Sequence, residues 1–223
     1  MAGLTQYSAA NLLPEVQVDT ARWNRIPSDE VVAEAAAAVG KRGIQVIRAK
    51  DRQEALATLV RLIPSDAEVM NGSSTTLIEI GYEALLKSGK TGWTDLHDRI
   101  TVENDERKRA DLRRKSVTAE YFISGANAIS RTGEIVACDM SGSRVGAWPF
   151  AAGHLILVCG INKIVPTLEE ALRRIREYAY PLEDARARKA YGIQSQIGKC
   201  VILAHEKVEG RVTLILISES LGY

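Results

Sequence analysis

Cysteine is scarce: Cys138, Cys159 and Cys200 are the three in a chain of 223 residues. They are odd in number and far apart, which points to reduced thiols in a cytoplasmic protein rather than a disulfide framework. No Cys-x-x-Cys occurs, so the chain is not expected to hold a structural zinc or an iron–sulfur cluster by itself. His97, His154 and His205 lack metal-ligand spacing and read as structural. Net charge is also small, since 29 Lys and Arg face 28 Asp and Glu. That balance argues against nucleic acid or an anionic membrane as the main partner. No apolar run is long enough to span a bilayer. Residues 1–14 lack the basic-then-apolar pattern of a secretory signal. There is no solenoid-period repeat and no low-complexity tract.

What is present suits one α/β domain with ample core. Residues 1–27 lack strong periodicity and read as an irregular arm, packed on the body or at a subunit contact. Residues 28–223 read as a single domain. The segment 29–39 is a helix opened by Ser28 and ended by Gly40 and Gly43. Ile44-Gln45-Val46-Ile47 is a strand. Residues 51–63 form an amphipathic helix, with Leu56, Leu59 and Ile63 on its apolar face. A second strand ends in Val69-Met70. This alternation predicts a mostly parallel central sheet with helices on both faces, a Rossmann-like three-layer sandwich.

The stretch Asn71-Gly72-Ser73-Ser74-Thr75-Thr76 organises the rest. It breaks the strand at glycine and then supplies four hydroxyls. Thr76 and Glu79 have the spacing of a capping box, which predicts a helix start near Thr76. A strand passing through glycine into a helix N-terminus presents unpaired N–H groups and the positive end of the helix dipole. The stretch reads either as a cradle for a phosphate or carboxylate or as an ordinary capped turn. It is neither a Walker loop nor Gly-x-Gly-x-x-Gly, so no nucleotide and no other cofactor is implied.

Beyond it, residues 96–120 are charged and helical in composition. Arg107-Lys108-Arg109 and Arg113-Arg114-Lys115 alternate with acids, as on a solvated helix face. Residues 121–129 and 135–138 read as a β-hairpin joined by Arg131-Thr132-Gly133-Glu134. Residues 139–144 form a second polar loop. Residues 154–160 are a buried strand that 161–165 continue. Thr167 with Glu170 opens a helix to about Tyr178, and 181–191 is another. Residues 201–203 and 212–217 are strands, joined through Glu209-Gly210-Arg211, that close the sheet.

Three motifs carry a resemblance. Asn71-Gly72-Ser73-Ser74-Thr75-Thr76-Leu77-x-Glu79-Ile80-Gly81 is similar to the first motif of the LUD-domain, or lactate-utilisation, family. Arg131-Thr132-Gly133-Glu134-Ile135-Val136 resembles its second. Asn162-Lys163-Ile164-Val165-Pro166-Thr167-Leu168-Glu169-Glu170-Ala171 resembles its third. The resemblance runs from about Ser28 onward. It implies the fold of ribose-5-phosphate isomerase, glucosamine-6-phosphate deaminase and the CoA transferases, in which the first Gly/Ser/Thr loop grips a phosphate or carboxylate. It also implies a cluster-free role beside iron–sulfur partner proteins in oxidation of lactate to pyruvate. One departure matters: no acidic pair plus lysine is spaced as in the sugar-phosphate isomerases, so their mechanism is not carried over.

The expected ligand is a small anionic metabolite, held by Asn71, Gly72, Ser73, Ser74, Thr75 and Thr76. Ser141, Ser143 and Arg144 form a second substrate loop, with Arg144 able to clamp a carboxylate. The alternative is a mobile surface loop. Lys163 is a charge stabiliser or a strand-end lysine. Glu134 and Asp139 are the catalytic candidates. For Glu134 the competing reading, favoured by the excess of surface carboxylates, is a solvated hairpin tip. A short strand separates the two, so one of them at most is expected beside the 72–76 turn, and Asp139 is preferred. Cys138 is a nucleophile candidate or a buried small thiol. The function expected is a lactate-utilisation-type binding subunit. The alternative is a free-standing isomerase, lyase or acyl/CoA-transfer enzyme. A homo-oligomer is compatible with either.

Overall fold

The computed structural model describes residues 7–223. In chain order its strands are β1 Gln45–Ala49, β2 Glu68–Asn71, β3 Thr94–Asp95, β4 Tyr121–Ser124 and β5 Ala128–Ser130. They continue as β6 Ile135–Asp139, β7 His154–Gly160, β8 Ile164–Val165, β9 Lys199–Leu203 and β10 Val212–Ile217. Six of them form a central sheet in the order β1-β10-β7-β4-β2-β3. Every pairing in it is parallel. β7 from Leu155 onward and all of β10 are buried and almost wholly apolar, because both of their faces are covered, as parallel sheets require.

One face packs on the helices Arg52–Leu62, Thr75–Glu79 and Tyr82–Lys87 through Leu59, Leu77, Tyr82, Ile156 and Ile215. The other packs on the helix Asp29–Lys41 through Val32 and Val39, around Phe122, Trp148, Leu157 and Leu214. A second sheet, ordered β8-β5-β6-β9, shares that core through Ile129, Ile135 and Leu203. Its far side packs on the helical rod from Leu168 to Tyr191 and on the N-terminal segment through Leu12 and Trp23. Arg174 is wholly buried there and fastens that segment. Its Nε donates to the Trp23 carbonyl at 3.0 Å and its Nη1 to the Asn127 carbonyl.

Several local expectations are corrected. Residues 121–129 are not one arm of a hairpin: β4 runs in the central sheet, and after Gly125 the chain crosses to β5 in the second. Residues 161–165 do not prolong β7, because a 3-10 turn at Ile161–Lys163 redirects the chain into β8. β9 and β10 do not close the central sheet: β9 pairs with β6 in the second sheet, and β10 lies between β1 and β7 in the interior of the first. The helix after Thr167 does not stop near Tyr178. A π-type turn at Ile175–Ala179 carries it into Tyr180–Tyr191, with Pro181 at the start of that segment, where a missing N–H is tolerated. Residues 7–27 are partly helical, at Ala9–Leu12 and Thr20–Trp23; residues 1–6 of the expected arm lie outside the described residues.

Candidate functional site

β2 ends at Asn71 and β4 at Ser124, side by side, and the chain leaves both through glycine. This is the carboxyl edge of a parallel sheet, where ligands of α/β proteins gather. The helix that follows β2 is capped by Ser74, whose Oγ accepts from Leu77 N at 3.4 Å. The expected Thr76–Glu79 capping box does not form. Thr76 instead accepts a hydrogen bond from Lys163 Nζ at 2.9 Å. The Glu79 carboxylate accepts from Gly222 N at 2.7 Å and Ala9 N at 3.0 Å, tying the C-terminal and N-terminal segments together. Gly125 makes room for the cap, because a Cβ there would lie 2.5 Å from Ser74 Oγ. Gly72 does not have positive φ, but a Cβ on it would come within 3.3 Å of both Arg144 Cδ and Ser124 Oγ.

A cavity of about 580 Å³ opens at this edge. Asn71, Gly72, Ser73, Ser74 and Thr75 line one wall, and Asp139, Ser141, Ser143 and Arg144 line the facing one. Lys163 is at its base. Thr76 lies beneath the lining, joined to it through Lys163. Glu134 is not brought to the cavity. It sits at the other end of β6, where Ser130, Thr132 and Arg42 bind its carboxylate. Burial there works against ionisation, but those partners hold its pKa below the usual carboxylate value.

Asp139 is occupied by its own loop. Its Oδ1 accepts from Ser141 N at 3.0 Å and its Oδ2 from Arg144 N at 2.8 Å. Burial would raise its pKa, but the Arg144 charge and these N–H groups outweigh that and hold it low. Asp139 therefore shapes the 139–144 loop as an ionised carboxylate. Arg144 reaches back across the turn and donates to the Gly125 and Cys138 carbonyls. Lys163 Nζ donates to Thr76 Oγ1 and, at 2.8 Å, to the Ala126 carbonyl. It is 2% exposed, and burial lowers its pKa to about 8. Among the described residues, neither Lys163 nor Arg144 has a carboxylate in ion-pair contact.

Sequence reasoning missed other lining residues. Arg109 and Arg113 come from the charged helix Glu106–Lys115, and Arg113 donates to Ser141 Oγ at 3.1 Å. Arg186 lines the opposite side, paired with Glu183, which also accepts from Tyr223 Oη at 2.8 Å. Asn71 Oδ1 is buried without a hydrogen-bond partner among the described residues. Among the described residues, the wall thus carries five cationic side chains against two carboxylates, Asp139 and Glu183, both already engaged. Such a wall can desolvate and orient a small anion. Among the described residues, no three His, Cys, Asp or Glu side chains converge on a metal position. No helix among them is long and apolar enough to cross a membrane.

A parallel α/β domain with its cavity beyond the strand ends is the class of protein defined here. The LUD domain family model matches residues 32–216, and the chain belongs to that family. Among solved structures, a DUF162 family protein from Deinococcus radiodurans superposes with a TM-score of 0.52 at 13% identity, covering 86% of this chain and 100% of that one. eIF2B beta from Chaetomium thermophilum gives a TM-score of 0.37 at 14% identity, over 66% of this chain and 60% of that one. No curated protein sequence matches the chain.

Proposed function

We propose that this LUD-domain protein binds a small carboxylate or phosphorylated metabolite between the 72–76 turn and the 139–144 loop. Its role is that of a lactate-utilisation-type, cluster-free component whose redox chemistry resides in iron–sulfur partner proteins. The observation that carries this reading is the pair Lys163 and Arg144, two cations lining one cavity with no carboxylate in ion-pair contact among the described residues. Lys163 is buried and Arg144 half-buried near Asp139; burying the Lys163 charge is costly, and an incoming anion would offset that cost. The unpartnered Asn71 Oδ1 supports a second, neutral contact, accepting from a group such as a substrate hydroxyl.

Calorimetric titration of the purified chain with L-lactate, pyruvate, inorganic phosphate and a sugar phosphate tests it. Saturable binding of one of them, at one site per chain, is the expected result. A second reading, a free-standing isomerase, lyase or acyl-transfer enzyme, has one observation in its favour. Lys163, with its pKa near 8, is a base or nucleophile poised for neutral pH. Turnover of such a metabolite by the isolated chain would support that second reading over the first.

A further inference from the structure

Cys138 and Cys200 are 62 residues apart in sequence but stand directly opposite each other on β6 and β9. Opposed residues of an antiparallel pair project to the same face of the sheet. The type of pair is also fixed. Cys138 N donates to Asn127 Oδ1 at 2.8 Å, and its carbonyl accepts from Arg144, so neither backbone group faces β9. Val136, two residues earlier, gives its carbonyl to Asn127 N, on the same side. Cys138–Cys200 is therefore a non-hydrogen-bonded pair, the kind in which Cα atoms lie about 4.5 Å apart and side chains are closest. That spacing falls inside the range a disulfide requires, roughly 4.4–6.8 Å.

We propose that Cys138 and Cys200 form a dithiol site at the rim of the cavity, which two-electron oxidants such as peroxides close to a reversible cross-strand disulfide. Three further features support it. β9 is an edge strand with no partner strand on its far side among the described residues, so it can yield to the geometry of the bond. Cys200 is exposed, while Cys138 is half-buried and lines the cavity. The third thiol, Cys159, is wholly buried and accepts from Ala126 N at 3.4 Å, away from any partner cysteine. It serves as an internal control.

The chemistry balances in two steps. The exposed Cys200 thiolate attacks a peroxide oxygen, the O–O bond breaks, and a sulfenic acid forms with release of hydroxide. Cys138 then attacks the Cys200 sulfur, the S–O bond breaks, and water leaves. Two thiols lose two protons and two electrons, and one peroxide becomes two waters. Burial raises the Cys138 pKa to about 11, so Cys200 is the attacking thiol and Cys138 the resolving one.

The test uses the full chain treated with hydrogen peroxide at low excess, then alkylated under denaturing conditions. The expected result is loss of two alkylatable thiols, a mass decrease of two hydrogens, and a linked peptide joining Cys138 to Cys200. Dithiothreitol restores all the thiols, and Cys159→Ser still forms the bridge. Phenylarsine oxide, a vicinal-dithiol reagent, should give a one-to-one adduct that Cys200→Ser abolishes. Three unchanged thiols, stable oxygen adducts on Cys200 with Cys138 still free, or bridges only between chains would each overturn the proposal. These readouts need no ligand, so they stand apart from the fate of the proposed function.

Discussion

Lys163 donates its ammonium group to the Thr76 hydroxyl at 2.9 Å, joining the end of β7 to the helix that follows β2. The bond couples the first and third family-like motifs inside the core. Gly222 packs over it, and a Cβ there would come within 2.3 Å of Thr76 Oγ1 and 3.2 Å of Lys163 Nζ. The base of the cavity is thus a closed junction of three chain segments around one cation.

That cation gives the protein a pH signature. The folded pKa of Lys163 is about 8, below its ordinary value, first because of burial. Between about 8 and the ordinary lysine value near 10.4, the unfolded chain holds a proton that the folded chain has lost. Stability contributed by this group therefore rises with pH across that window. Anion binding moves the opposite way, weakening as Lys163 loses its charge. Denaturant midpoints and phosphate titrations on either side of that pKa should show both trends in the wild type and neither in Lys163→Met. Parallel pH profiles for the two proteins would refute the assignment.

Gly72 sets the distance between the two walls. In Gly72→Val the added carbons meet Arg144 Cδ and Ser124 Oγ, and the flexible Arg144 side chain is the one that gives way. Ligand affinity should therefore fall at least tenfold, about 1.4 kcal/mol, while the thermal midpoint moves by a few degrees. A folded variant with unchanged affinity would show that this face of the turn takes no part in binding.

Glu134 should behave as a structural residue. Its carboxylate binds Ser130, Thr132 and Arg42 at the hairpin tip, remote from the cavity. Glu134→Gln should cost about 1–2 kcal/mol of stability through the weakened ion pair and hydrogen bonds. Affinity for small anions should stay within twofold. A large loss of turnover or binding at full stability would instead bring Glu134 into a site, for example across a subunit contact.

Much of this fold was legible because periodicity and turn chemistry agreed. β2, the glycine exit, and a helix opening within the run of four hydroxyls follow from patterns of two or three residues. Which hydroxyl caps the helix did not follow, since Thr76 and Glu79 have capping-box spacing. Ser74 caps instead because Lys163 and Gly222 claim Thr76 and Glu79, and those contacts are long-range. The split of residues 121–130 between two sheets was hidden for a related reason: buried apolar strands read alike whichever sheet receives them. Gly125 was the available signal, since it breaks the run as Gly72 breaks β2. Arg109 and Arg113 looked like solvated helix charges, and Arg186 carried no local signal at all; only tertiary packing brings the three to the cavity. The cross-strand pairing of Cys138 with Cys200 depends on β9 joining β6 rather than β10, which no local pattern encodes.

The central claim is that Arg144 and Lys163 hold a small anion, and Arg144 tests it most directly. Its guanidinium donates to the Gly125 and Cys138 carbonyls and fronts the cavity with no carboxylate in ion-pair contact among the described residues. The measurement is calorimetric titration of wild type and Arg144→Ala with the same panel of lactate, pyruvate, phosphate and sugar phosphate. One-site binding by the wild type is expected, with a loss of roughly 1.5–3 kcal/mol in the variant, the worth of a charge-assisted hydrogen bond. Binding of equal strength in both folded proteins, or no binding of any of these anions by the wild type, would contradict it.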